Sequence, residues 1–465
     1  MLRLLAAVFS GGFLASDDHH VVIGAADQIA SGAGLPVTYA RSALLPGIIA
    51  AIMTVTRGIG VHDPGIEMLI VRLLQGLYSL FVVYFVYRIL EREVDRRWAL
   101  VGGLLAAACY VMPVTAVHQL EESVCQVPLL AACWLWMRGK AIWGTLAGAT
   151  FGIALILRFP LIGFMATFVG LALLQRVPFQ QKLGLLGGLA LVVVLQGFSN
   201  SLINHHWGYS FAERLGPMLH PQRLALEADG YPSRPPWHYV LTLLAALIPP
   251  ASILLLAAAV KGSTRFPLIA IATVVFLVSH SLIANKQERF ILPILPLLFV
   301  LIAAGLPWLA ERIGGVYRGM WWYFWTVNAV LLVVVTFSFS KKDRVAPLLY
   351  IYRRHNAAGV LIAQYNETFG VPTYYLGKPA PLVIVLPRRE DAQETARHVR
   401  TPESAINYVI LYSDTPESDR AMLAQALHRQ LAYVTTITPS LSDRLAHAIN
   451  PRHNKAHTAI IYTTT

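Results

Sequence analysis

Two short charged stretches interrupt an otherwise apolar chain: "SDDHH", Ser16 to His20, and "NKQERF", Asn285 to Phe290. A carboxylate beside apolar segments is costly to bury unpaired, so Asp17 and Asp18 mark either a functional site or the start of a solvated loop. Neighbours on a helix point about 100° apart, which argues against a shared proton; one would act as a base while the other positions it. His19 and His20 lack the i, i+4 spacing of a helical metal site, and no metal is expected there. In the second stretch Lys286 and Arg289 are three residues apart and suited to converge on one anion, with Glu288 able to hold either as an ion pair. The bland alternative is an interfacial loop whose cations snorkel to water.

Three other places carry chemistry of the same kind. Arg41 and Ser42 follow Tyr39 in "TYARSALLP", and Arg158 stands in "LRFP". Arginine grips phosphate through its planar fork, although a lone arginine near a span also reads as a snorkelling interface residue. The loop running into "YPSRPPWHYVLTLLAALIPP" places Trp237 and Tyr239 at the head of an apolar run. Such rings form an aromatic belt or stack on sugar rings.

The elements that must position these residues follow from composition. The chain has 465 residues, of which 56% are hydrophobic and 13% charged. Apolar runs recur at about 2–16, 69–90, 98–118, 123–138, 141–157, 160–176, 183–203, 239–260, 266–284, 290–310 and 320–340, so about eleven membrane spans are expected. "SALLPGIIAAIM" from Ser42 is broken by Pro46 and Gly47 and is expected to be interfacial or re-entrant. "MLRLLAAVFSGGFLAS" is short for a span and has a basic start, so it reads as a first helix, a signal peptide or a shortened helix; the first two readings both export the residues that follow. Lysine and arginine concentrate in alternate loops, which sets the segment 17–68, the "HQLEES" turn, the Arg158 turn, "NKQER" and the C-terminal tail on the outer face. The net charge of +12 is assigned to this orientation and not to nucleic acid. Cys109, Cys125 and Cys133 lie in apolar runs with no CxxC pair, so neither a disulfide nor a metal framework is implied.

Residues 341–465 differ in kind. "PLVIVLPRRE", "INYVILYSD" and "TAIIYTTT" are expected as strands, and "NAAGVLIAQYNETFG" and "SDRAMLAQALHRQLAYV" as helices, giving a small soluble α/β domain. No Walker loop and no GxGxxG occurs, so a nucleotide-linked donor has no recognisable cradle.

Taken in order, these segments resemble the mannosyltransferases that use a polyprenyl- or dolichyl-phosphate mannose donor. That family includes the GPI-anchor and lipid-linked N-glycan enzymes and bacterial relatives of the GT-C glycosyltransferase fold. "SDDHH" is similar to the family's acidic pair, "TYARSALLP" to the end of its first outer loop, and "NKQERFILPILPLL" to its His-Lys-Glu-x-Arg-Phe-x-x-Pro-x-x-Pro signature. Asn285 and Gln287 depart from that signature, Phe159 intervenes in the Arg-Pro turn, and Asn204 stands where many relatives carry Asp. The resemblance implies a mostly α fold: a polytopic GT-C-like domain over 1–340, with a catalytic first outer loop at about 17–68 and an extracytoplasmic α/β domain at 341–465. It implies hexosyl transfer, of mannose first, from a lipid-linked sugar phosphate to a hydroxyl of a glycolipid or glycan, with inversion and no cofactor. Asp17 or Asp18 would be the base, and Lys286, Arg289, Arg41 and Arg158 would bind the donor phosphate. His19, Tyr39, Trp237, Tyr239 and Glu288 would contact substrate. The expected setting is a bacterial plasma membrane. Alternatives are protein O-mannosylation, aminoarabinose transfer or, from another class, lipid or solute transport.

Overall fold

The computed structural model describes residues 1–15, 19–35, 42–205, 207, 234–283, 285–366, 370–399, 405–451 and 454–464. Most of the described chain is α-helical, and a five-stranded sheet follows near the C-terminus. Each of the eleven apolar runs contains helix, but many helices are shorter than the runs that announced them. Among the described residues, four are long and apolar enough to cross a membrane: Pro64–Glu93, Phe179–Leu202, Glu288–Ile313 and Val316–Thr336. A fifth candidate is the pair His238–Ala246 and Ala251–Gly262, bent by 105°. The bend falls at Pro249 and Pro250, where two missing amide donors interrupt the ladder. The chain is an integral membrane protein.

Two expectations about local structure fail for identifiable reasons. Pro46 does not break its segment; Leu44–Gly58 is one continuous helix. Proline at its third position lies in the first turn, where the missing N–H has no intrahelical partner to lose. "NAAGVLIAQ" is not a helix but the strand Gly359–Ala363, every residue of which is buried. A strand covered on both faces loses the alternation that would have announced it.

The chain divides into two compact units. The first comprises Met1–Arg3, Gly34–Gly47 and Leu74–Val333. Its helices meet through small residues. A Cβ on Gly148 would lie 2.0 Å from the Leu185 carbonyl oxygen, and one on Gly188 would lie 2.0 Å from that of Thr145. Ala141–Leu157 and Phe179–Asn204 therefore touch backbone to backbone, as glycines four apart permit.

The second unit comprises Leu4–Ala33, Ile48–Leu73 and Val334–Thr465. Its sheet has the order β2-β1-β3-β5-β4, with β1 Gly359–Ala363, β2 Leu382–Leu386, β3 Tyr408–Leu411, β4 Leu431–Ile437 and β5 Ala459–Thr464. The pairs β1–β2 and β1–β3 are parallel; β3–β5 and β4–β5 are antiparallel. Three strands expected from sequence are present, and the second expected helix stops at Ala426, after which "LAYV" opens β4. Leu361, Val409, Leu411, Leu423, Leu427 and Tyr462 form part of its core.

Candidate active site

Within the first unit the acidic "HQLEES" turn folds into the short helix Glu121–Val124, with Glu121 and Glu122 both buried. Gln126 ties this turn to the "NKQERF" segment by donating to the Leu292 carbonyl at 2.7 Å. That segment is a 3-10 stretch, Glu288–Ile294, leading into the helix Leu295–Ile313. Arg158 is the residue at which Ala141–Leu157 stops, followed by a 3-10 turn through Phe159 and Pro160. Phe159 is itself buried, so the departure from an Arg-Pro pair adds a packed ring while the turn is kept.

These elements bring two of the expected phosphate-binding residues together. Arg158 Nη2 lies 3.1 Å from Glu122 Oε1 and its Nη1 lies 3.9 Å from Glu121 Oε2. Arg289 Nε lies 3.8 Å from the same Glu122 oxygen. Both guanidinium carbons sit against the Phe290 ring, 4.9 and 5.4 Å from its centre. Arg289 also donates to Gln287 Oε1 at 2.8 Å. Gln287 thus supplies an oriented acceptor without charge, and Glu122 supplies the charge.

Lys286 and Arg289 do not share a partner. The Lys286 ammonium is buried and donates to the carbonyls of Arg234, at 2.9 Å, and Ile283. Burial lowers its affinity for a proton. Glu288 holds neither of them, contrary to expectation: it pairs with Arg234 at 2.8 Å, with His238 Nε2 3.7 Å away. Arg234 stands just before Pro235, and its backbone carbonyl and side chain serve both neighbours. Tyr239 is buried in the core, whereas Trp237, 62% exposed, is the only one of that pair with a free face. Ser42 reaches Gln196 Oε1 at 3.4 Å. Asp17, Asp18, Tyr39 and Arg41 lie outside the described residues.

Within the second unit His19 is stacked between Phe13, 4.5 Å away, and Tyr375, 5.3 Å away. Both faces of the ring are covered, so it cannot stack on a sugar in this arrangement. Burial, helped by His20, lowers its pKa to about 3 and keeps it neutral. The loop helix Gly24–Ala30 is pinned by an ion-pair chain that sequence reasoning missed. Arg57 Nη2 meets Asp27 Oδ1 at 2.7 Å, and Arg57 Nε meets Glu67 Oε1 at 2.9 Å. Glu67 also accepts from Thr56 at 3.1 Å and from the Tyr374 hydroxyl at 2.7 Å. Glu121 and Glu122 were missed as well; two adjacent carboxylates in an apolar setting were the available signal.

Comparison with known proteins separates fold from substrate. Residues 45–199 match a model described as dolichyl-phosphate-mannose-protein mannosyltransferase, and 226–372 match the Alg9-like mannosyltransferase family. The apo crystal structure of ArnT from Cupriavidus metallidurans aligns over 99% of this chain and 95% of its own, with a TM-score of 0.61 at 13% identity. The chain is a glycosyltransferase with the GT-C fold. The undecaprenyl phosphate complex of the same ArnT aligns over 99% of this chain and 96% of its own, with a TM-score of 0.58 at 13% identity. An oligosaccharyltransferase from Archaeoglobus fulgidus aligns over 93% of this glycosyltransferase and 71% of its own chain, with a TM-score of 0.47 at 12% identity. No curated protein sequence matches it significantly.

Proposed function

We propose that this glycosyltransferase moves a hexose, mannose first, from a polyprenyl-phosphate-linked donor to a hydroxyl of a glycolipid or glycan acceptor, with inversion. The observation that carries this reading is the pair Arg158 and Arg289 gathered on one buried carboxylate, Glu122, against one aromatic ring. Two guanidiniums oriented together suit a tetrahedral anion through charge-assisted N–H donors. Lys286, from the same segment, is held on the Arg234 and Ile283 carbonyls. Support for the lipid-linked donor comes from the ArnT complex, which holds undecaprenyl phosphate.

The reaction would be a single displacement at the anomeric carbon. A carboxylate takes the acceptor hydroxyl proton, the new glycosidic bond forms, and the donor C–O bond breaks with its electrons leaving on phosphate. Cations fixed beforehand stabilise the charge that develops on the leaving oxygen. A phosphate leaves as an anion, so no acid is needed and the lipid-linked sugar phosphate is the only co-substrate. Asp17 is the favoured base and Asp18 its partner, with Arg41 and Tyr39 completing a catalytic outer loop at about 17–68. The loop and the domain 341–465 would lie on the extracytoplasmic face of a bacterial plasma membrane.

The test replaces Asp17 and Asp18 by Asn, separately, and measures labelled mannosyl transfer in membranes. Loss of about 10²–10⁴-fold in rate from one of them is expected of a general base. Full activity in both variants would remove the assignment. A wild type that transfers aminoarabinose or modifies only protein would redirect the substrate and keep the chemistry.

A further inference from the structure

The helix Leu441–Ile449 is amphipathic the wrong way round for a water-facing surface. Its start is well built. Ser440 Oγ accepts the Asp443 amide at 3.1 Å and the Asp443 carboxylate accepts the Ser440 amide at 3.3 Å, a reciprocal capping box. Yet none of its residues is buried. The outward face carries Leu441, Leu445 and Ile449, exposed by 57%, 47% and 85%. Spaced four residues apart, they fall within about 80° of one another. Ser442, Asp443, Ala446 and His447 are the half-buried positions, and His447 Nδ1 meets the Asn454 carbonyl oxygen at 2.7 Å. A surface helix ordinarily turns its charged face to water and its apolar face to the core.

The position of this helix identifies what covers the stripe. The Asp443 carboxylate accepts the backbone amides of Lys341 and Lys342 at 2.8 and 3.1 Å. Thr336, the last residue of the membrane-length helix Val316–Thr336, precedes Lys341 by five residues. An extended chain advances at most about 3.6 Å per residue, so Lys341, to which the first turn of Leu441–Ile449 is bonded, lies within roughly 18 Å of the end of a span. The connecting chain continues the apolar surface with exposed Phe337, and cations flank it at Lys341, Lys342 and exposed Arg444.

We infer that Leu441–Ile449 lies in the lipid–water interface and anchors the C-terminal domain to the bilayer. Leu441, Leu445 and Ile449 enter the boundary between headgroups and acyl chains, and Arg444 snorkels to the lipid phosphates. The apolar stripe lies within reach of the span it follows, and the flanking charge is of the sign that anionic lipids attract.

The experiment uses the full chain with Leu445→Cys or Ile449→Cys carrying a small fluorophore, in vesicles of phosphatidylcholine and phosphatidylglycerol. The native cysteines are buried, so the label goes to the new thiol. Glu417→Cys, at a side chain 87% exposed on the helix Pro416–Ala426, is the control. Lipids brominated near the glycerol should quench the labels at 445 and 449 at least about twofold more than at 417, and aqueous iodide should do the reverse. Leu445→Gln should weaken lipid quenching of a label at 449, with the fold kept because that side chain is exposed. Equal iodide quenching at all three positions overturns the inference. Protection from iodide without lipid quenching also overturns it, in favour of a second copy or a protein partner.

Discussion

Glu122 and Glu67 are both buried carboxylates that hold arginine, and they are built differently. Glu67, in the first turn of Pro64–Tyr78, receives Thr56, the Nε and Nη2 of Arg57 and the Tyr374 hydroxyl at distances from 2.7 to 3.1 Å. Arg57 is closed off in turn by Asp27 at 2.7 Å. Around Glu122 the ion pairs are longer: those of Arg158 and Arg289 with it, and of Arg158 with Glu121, run from 3.1 to 3.9 Å. A short-bonded network fixes backbone segments, whereas longer ion pairs leave two arginines able to turn towards an anion. The first is read as structural and the second as the donor-phosphate site.

Variants break or sharpen that contrast. Glu67→Gln removes the charge at the centre of the short-bonded network and should cost about 3 kcal/mol of stability, with activity per folded molecule retained. Thermal or denaturant unfolding beside a transfer assay checks it. Arg158→Ala also strips a buried carboxylate of a partner and should lower the unfolding midpoint, but here activity per folded molecule should fall as well, kcat dropping about 10²–10³-fold, the loss expected when one fixed donor to a developing charge is removed.

A pH profile tests the His19 stack. The unfolded chain takes up a proton at His19 near pH 6.5, and the native stack refuses it until about 3. Stability should therefore be flat above about 6.5 and fall as the pH drops towards 3, by about 2 kcal/mol at pH 5. His19→Phe, which preserves the stack, should flatten that slope. Tyr374→Phe withdraws one of the Glu67 donors and should cost about 1 kcal/mol, the smallest of these effects.

Much of the fold was legible because burial in lipid demands long apolar runs, and those runs located most of the long described helices, Leu44–Gly58 excepted. The charged stretch at Lys286 and Arg289 was legible for the same reason, since ionised groups stand out against such a background. What escaped were features that depend on tertiary partners. The strand Gly359–Ala363 is apolar on both faces and has no period to detect. Glu121 and Glu122 acquire meaning only beside Arg158 and Arg289, more than thirty and more than one hundred and sixty residues away. The pairing of Glu288 with Arg234 in place of Lys286 was likewise set by a loop distant in sequence.

The most direct measurement is the affinity of the purified protein for a polyprenyl phosphate lacking the sugar, compared across wild type, Arg158→Ala and Glu67→Gln. Arg158→Ala deprives the phosphate of a bidentate charge-assisted partner and should weaken binding at least about tenfold, with Glu67→Gln binding as wild type does. Unchanged affinity in Arg158→Ala, or an equal weakening in both variants, would contradict the assignment of the Glu122-centred arginines as the donor-phosphate site.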